Sequence, residues 1–410
     1  MRKILIVGAG QSGLQLALGL QDRGYEVTVM SDRGPDEIRA GQVMSTQCMF
    51  ATALGLERDL GLGLWEDEAP CVHGLGVAVA APDGTRAIDW VGRLDGFAQS
   101  VDQRVKMAGW LERFVDRGGN LMVHPVSLSD LDWYARKFDL VLLAAGKGAL
   151  AAMFDRDPAR SPFEQPMRSL AVAYVHGLAP RPDSDLAPVG ISVVPGVGEL
   201  IVIPALTGSG PCDILFFEGV PGGPLDAFQG IRDPEAHLRL TLDLMREFVP
   251  WEYARAAGGV ELTDARGILA GRYAPTVRRP VSSLPSGGLV LGVADAVVAN
   301  DPITGQGSNT AARCAAVYLA AIEDRGEEPF DRAWMERTFE AFWAQAGRPV
   351  TAWTNAMLAP LEPHVRELLA AAEHHPVLAD RFANGFDEPA DFDAWFYTPE
   401  QAHTYLASLA

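Results

Sequence analysis

The chain has 410 residues, of which 48% are apolar, and a formal net charge of −19. That length suits two folded units, and that composition excludes a disordered chain. The acidic balance argues against nucleic acid or an anionic membrane surface as partner.

Lys3 to Val7 (KILIV) is a short, β-branched apolar run and predicts a strand. Gly8-Ala9-Gly10-Gln11-Ser12-Gly13 follows, a G-x-G-x-x-G. Leu14 to Arg23 then has helical spacing, and Glu26 to Met30 predicts a second strand. Strand, glycine turn, helix and strand in this order form a dinucleotide-binding unit. The glycines permit a tight turn, approach of a pyrophosphate and close helix packing. The helix N-terminus offers free N–H groups and the positive dipole end to phosphate. Gly8, Gly10, Gln11, Ser12 and Gly13 are therefore candidate cofactor contacts, with Asp32 as the ribose-binding acid.

Gln42 to Phe50 predicts an extended segment with Ser45, Gln47 and Met49 on one face. A hydroxyl, an amide and a thioether together suit a cavity wall. Helix is expected to about Leu64, then strands within Val72 to Arg93 around a turn at Pro82-Asp83-Gly84. A helix from Val101 to about Arg117 and strands at Asn120 to Val123 and Asp139 to Ala145 follow. Gly146-Lys147-Gly148 reads as the end of that last strand, returning beside the cofactor, rather than as a second nucleotide site. Ser169 to Val175, Glu199 to Leu206 and Cys212 to Glu218 predict antiparallel strands. Pro234 to Phe248, Arg332 to Ala344 and Glu362 to His374 predict helices.

The fold class expected is α/β: a Rossmann-like dinucleotide-binding domain with an inserted, mainly antiparallel substrate sheet and C-terminal helices. The nucleotide domain, which the second motif below assigns to FAD, is discontinuous over 1–71, 97–160 and 265–330. The substrate domain takes 72–96 and 161–264, and the C-terminal helices 331–410. Cys48, Cys71, Cys212 and Cys314 are scattered without C-x-x-C, which predicts reduced thiols and a cytoplasmic protein. The histidines show no ligand spacing, so no metal is expected. The opening apolar run is too short for a secretory leader. The longest apolar stretch, Leu140 to Phe154, is broken by Lys147 and glycines, so no membrane span is expected.

A strand at Gly288 to Gly292 leads to Asp295, and Asp301-Pro302-Ile303-Thr304-Gly305-Gln306-Gly307-Ser308-Asn309 then opens a helix to about Ala321. Asp295 can accept a hydrogen bond from a ribityl hydroxyl. The helix N-terminus would face the N1–C2=O edge of an isoalloxazine and stabilise negative charge on the reduced ring. A nicotinamide has neither feature, so this second motif selects FAD.

In VGAGQSGLQLALGL, SDRGPDEI, VDQR, DLVLLAAGKGAL and DPITGQGSNTAA the chain resembles the oxygenase component of the two-component FAD-dependent styrene/indole monooxygenases, of the p-hydroxybenzoate hydroxylase fold. The resemblance covers nearly the whole chain. It implies a separate NADH-dependent flavin reductase that supplies FAD already reduced. It also implies O2, a small aromatic substrate and oxygen transfer through a flavin C4a-(hydro)peroxide. The products implied are indole 2,3-oxide, leading to indigo, together with styrene oxide and aryl sulfoxides. Further cofactor contacts implied are Ser31, Arg33, Arg104, Ala145, Gly146, Gly305, Gln306, Gly307, Ser308 and Asn309. Pro302, Thr304 and Gly305 would lie at the reacting edge, with Ile303 facing substrate. Ser45, Gln47 and Met49 resemble the indole-type pattern, where styrene types carry Asn, Val and His. Val72, Leu75 and Ala98 fit that subgroup too, where styrene types place Tyr, His and Ser. Indole carries an N–H donor that Ser45 or Gln47 could accept. A homodimer stays open.

Three rivals remain. A single-component NAD(P)H-dependent aromatic hydroxylase would oxidise NAD(P)H unaided. A flavin-dependent halogenase is opposed by the lack of W-x-W-x-I-P. A non-catalytic FAD-fold protein of the Rab-escort kind is opposed by the well-formed flavin-edge motif.

Overall fold

The computed structural model describes residues 2–146, 148 and 150–409. Lys147, within the second glycine pattern, lies outside the described residues. Two sheets organise the chain. The first has six strands in the order Val281–Ser283, Leu289–Gly292, Leu140–Leu143, Lys3–Val7, Glu26–Ser31, Asn120–Val123. All neighbours are parallel except the edge pair Val281–Ser283 with Leu289–Gly292. Parallel strands are buried on both faces, and Ile4 to Val7 and Leu140 to Leu143 are accordingly apolar throughout.

The first turn is shaped by close approach. Gly8 has φ +120, and a Cβ there would stand 2.8 Å from the Ala144 carbonyl carbon. A Cβ on Gly13 would stand 2.1 Å from the Gly8 carbonyl oxygen. Any side chain at either place pushes the first helix, Gln11–Asp22, off the strands it covers.

The second sheet has eight strands. Its order is Glu261–Leu262, Ser169–His176, Gly210–Gly219, Gly198–Thr207, Val189–Val194, Val72–Ala80, Arg86–Ala98, with Ile268–Gly271 also paired to Ser169–His176. It is antiparallel except between Val72–Ala80 and Val189–Val194. Alternate residues separate its faces. Val172, Ile203 and Phe216 point to one side, while Ala173 and Leu215 pack with Leu244 and Met245 of helix Pro234–Phe248 on the other.

Three expectations change. Val189–Val194, after a Pro/Asp-rich stretch, is a strand beyond the three expected in that region. Ile268–Gly271, assigned to the FAD domain, belongs to the large sheet. Gln42 to Phe50 forms no strand, and a lone bridge joins Met49 to Gln99.

The C-terminal helices lie against the hairpin Val72–Ala98. Helix Pro376–Asn384 comes so close that a Cβ on Gly92 would stand 2.1 Å from the Ala379 carbonyl oxygen. Trp353, Phe382, Phe392, Trp395 and Phe396 form the aromatic core there. Among the described residues, no helix is long and apolar enough to cross a membrane.

Candidate active site

A cleft of about 480 Å³ is lined by residues of both sheets. Gly8, Gly10, Gln11 and Ser12 line it at the first glycine turn, and Ser31, Asp32 and Arg33 at the end of the second strand. Ala145, Gly146 and Asp295 line it between them, Gly146 lying against the Asp295 side chain. Pro302, Ile303, Thr304, Gly305, Gly307 and Ser308 line it at the second turn, where helix Gly307–Arg325 begins. The large sheet supplies the remaining wall, with Leu75, Val172, Ile203 and Phe216.

This cleft fits FAD on observations of the chain itself. Both helices that open on it lack a side-chain cap, so their first N–H groups are left for a ligand. A Cβ on Gly10, Gly305 or Gly307 would meet nothing within 4 Å, so these glycines border open space. The guanidinium of Arg33, held by Met44 Sδ at 3.0 Å, stands at the same end as Asp32. The Cys48 thiol also reaches the cleft, but burial pushes it up to about 12 and it stays neutral.

Beneath the first turn is a buried network. Gln11 donates to Glu57 at 2.8 Å, and Lys106 pairs with the same carboxylate. The second turn is held differently. Asp301 accepts from the Ile303 N–H at 3.2 Å, and the Thr304 and Thr354 hydroxyls meet at 2.7 Å. Gly305, at φ +63, ends this turn in the left-handed region.

Several expected contacts lie elsewhere. Gly13 is internal to the first turn. Gln306 donates to the Phe386 carbonyl at 2.8 Å. Asn309 donates to the Cys48 carbonyl at 2.8 Å and accepts from the Phe50 N–H at 2.9 Å. Both side chains brace the turn from behind. Arg104 forks onto Asp102, at 2.7 and 2.9 Å, and onto Asp264, at 2.9 and 3.0 Å, as a buried brace off the cleft.

The substrate-side expectations divide. Ser45 and Gln47 line the cleft, and so do Met44, Thr46 and Cys48. Five consecutive residues reaching one space show that the alternation of a strand does not apply. Met49 is 1% exposed and packs with Ala53, Leu54 and Ala312 off the cleft. The Gln47 amide donates to the Val101 carbonyl and accepts from Ser308 Oγ at 3.3 Å. Leu75 lines the cleft, whereas Val72 and Ala98 face each other across the hairpin in the core.

Reading by motif missed Tyr273, Asn300 and Phe386, which also line the cleft. It missed Ala294 as well, a cleft residue at φ +48 whose N–H donates to Cys314 Sγ. An alanine carries no signal of that conformation. Phe386 follows the second motif by about eighty residues, so no local spacing could reveal it.

A two-sheet α/β fold with an uncapped helix N-terminus at each of two glycine turns is the p-hydroxybenzoate hydroxylase fold of FAD-dependent enzymes. Residues 146–255 match the family model described as "Styrene monooxygenase A putative substrate binding domain". The chain is 30% identical to styrene monooxygenase StyA of Pseudomonas fluorescens, over 98% of this chain and 96% of that one. It is 29% identical to StyA of a Pseudomonas species, over 100% and 98%. Among solved structures, the flavin-dependent brominase Bmp2 matches with a TM-score of 0.64 at 14% identity, over 95% of this chain and 96% of that one. Pseudomonas aeruginosa PqsL, in complex with 2-aminobenzoylacetate, matches with a TM-score of 0.63 at 16% identity, over 90% and 98%. These two show the fold alone. The chain belongs to the styrene monooxygenase family, and its cofactor is FAD.

Proposed function

We propose that this chain is the oxygenase half of a two-component system. It would take reduced FAD from a separate NADH-dependent reductase and oxygenate small, uncharged arenes. Indole and styrene would be epoxidised and aryl sulfides converted to sulfoxides. One atom of O2 enters the substrate, the other leaves as water, and FAD is released oxidised. When bound, reduced FAD and O2 together supply the oxygen atom that an electron-rich C=C or sulfur accepts.

The observation that carries this reading is the continuity of the cleft. It runs from the uncapped turn at Gly307 to a wall of Leu75, Val172, Ile203 and Phe216. That wall excludes water and holds an apolar ring by shape, with no charge to attract an acid substrate. The first N–H groups of helix Gly307–Arg325 would stabilise negative charge on a reduced flavin held there. Thr304, fixed by Thr354, and Pro302 set the turn's position. Ser45 offers a hydroxyl that can accept the indole N–H, and Gln47 is already engaged through both ends of its amide. The indole-type reading therefore rests chiefly on Ser45.

Purified protein with chemically reduced FAD, O2 and either indole or styrene, without reductase or NADH, tests the proposal. Indigo and styrene oxide are the expected products. Hydrogen peroxide alone would sink it, and turnover driven by NAD(P)H without a reductase would assign the chain to the single-component hydroxylases.

A further inference from the structure

Beside the second turn, three carboxylates and one guanidinium are enclosed together. Glu218 is 0% exposed and Asp301 3%. Glu199 is the direct cross-strand partner of Glu218. Arg168 forks onto Glu199 at 2.8 and 3.0 Å, so its guanidinium is already engaged. Tyr273 is neutral, and its hydroxyl donates to the Asn300 carbonyl at 2.6 Å. Glu218 and Asp301 face each other at hydrogen-bonding range. Yet neither carboxyl oxygen of Glu218 meets a donor when both acids are taken as ionised. Two acids buried this way cannot both carry charge, and one retained proton turns the orphaned contact into a hydrogen bond.

We propose that Glu218 is a neutral carboxylic acid whose O–H donates to Asp301, and that this bond holds the Asp301–Gly305 turn in place against FAD. Glu218 is thus a positioning residue. It sits on Gly210–Gly219, which is paired on both sides within the large sheet. Asp301 sits in a loop, so when the proton is lost the loop yields and the strand stays. The turn that moves is the one carrying Pro302, Thr304 and Gly305 on the cleft wall.

Burial pushes Asp301 up to about 6 and Glu218 well above the usual carboxylate range, where the Asp301 charge raises it further. Both shifts are upward. The hold on the turn is therefore complete at low pH and is lost as pH rises through ionisation of the folded pair.

Infrared difference spectra of the FAD-free chain at neutral pH, wild type minus Glu218→Gln, should contain the carbonyl stretch of a protonated carboxylic acid. FAD affinity, read by flavin fluorescence, should fall as pH rises in the wild type, by up to about tenfold per pH unit for one linked proton. In Glu218→Gln the amide donates without a proton to lose, so affinity should be flat with pH. Absence of that difference band, or a wild-type pH slope in Glu218→Gln, would overturn the proposal. Should Glu218→Gln not fold, Asp301→Asn provides the same flattening from the other partner. Neither readout uses an arene or a reductase, so failure of the oxygenation reading leaves both interpretable.

Discussion

The two glycine turns of the cleft each open a helix without a side-chain cap and are built in opposite ways. At the first, Gly8 and Gly13 are needed because backbone crowds them, at 2.8 and 2.1 Å from a Cβ. At the second, Gly305 and Gly307 border open space. The first turn is seated on Gln11, Glu57 and Lys106 beneath it. The second is tied by Asn309 to Cys48 and Phe50, and by Gln306 to Phe386. One is a rigid fixture of the small sheet. The other is tied to Cys48 and Phe386 on the cleft wall, so under the proposed function what binds there and how the flavin edge sits would be mechanically linked.

Substitutions at the two turns should separate these designs. Gly13→Ala drives a methyl into backbone and should cost more than about 3 kcal/mol, seen as loss of cooperative thermal unfolding and of FAD binding together. A folded Gly13→Ala variant with normal FAD affinity would show that the first turn can relax. Asn309→Ala should cost about 2 kcal/mol in chemical denaturation, because it leaves the Phe50 N–H and Cys48 carbonyl without partners. It should also raise KM for the arene, and an effect confined to FAD would break the proposed linkage. Gly307→Ala should change stability of the FAD-free chain by no more than about 1 kcal/mol while weakening FAD. Equal FAD affinity in that variant would mean the open space at Gly307 is not where the cofactor sits.

Much of this was legible in the sequence where physics is local. The strands Lys3–Val7 and Glu26–Ser31 and the helices Pro234–Phe248 and Gly307–Arg325 follow from periodicity, proline and glycine punctuation. The two turns that line the cleft were legible for the same reason. Periodicity failed at Gln42 to Phe50, where a segment without a ladder turns successive side chains toward one space and Met49 away. The resemblance placed Val72 and Ala98 toward substrate, but their pairing in the core depends on hairpin register. Arg104 was expected at the cofactor, but Asp264, 160 positions away, ties it into a buried brace off the cleft. Glu218 and Asp301 carry no spacing that would join them, and only burial makes them a pair.

Phe386 lines the cleft from the far end of the chain, just past helix Pro376–Asn384, which rests on Gly92. A ribosome delivers these parts in chain order. The phosphate-binding turn at Gly8 emerges first, while the roof that rests on Gly92 and receives Gln306 comes late. The cradle therefore exists on the nascent chain before the pocket does, and the flavin can be enclosed only after synthesis has passed Phe386. Until then the apolar face of the Val72–Ala98 hairpin lacks the C-terminal helices that cover it in the folded chain.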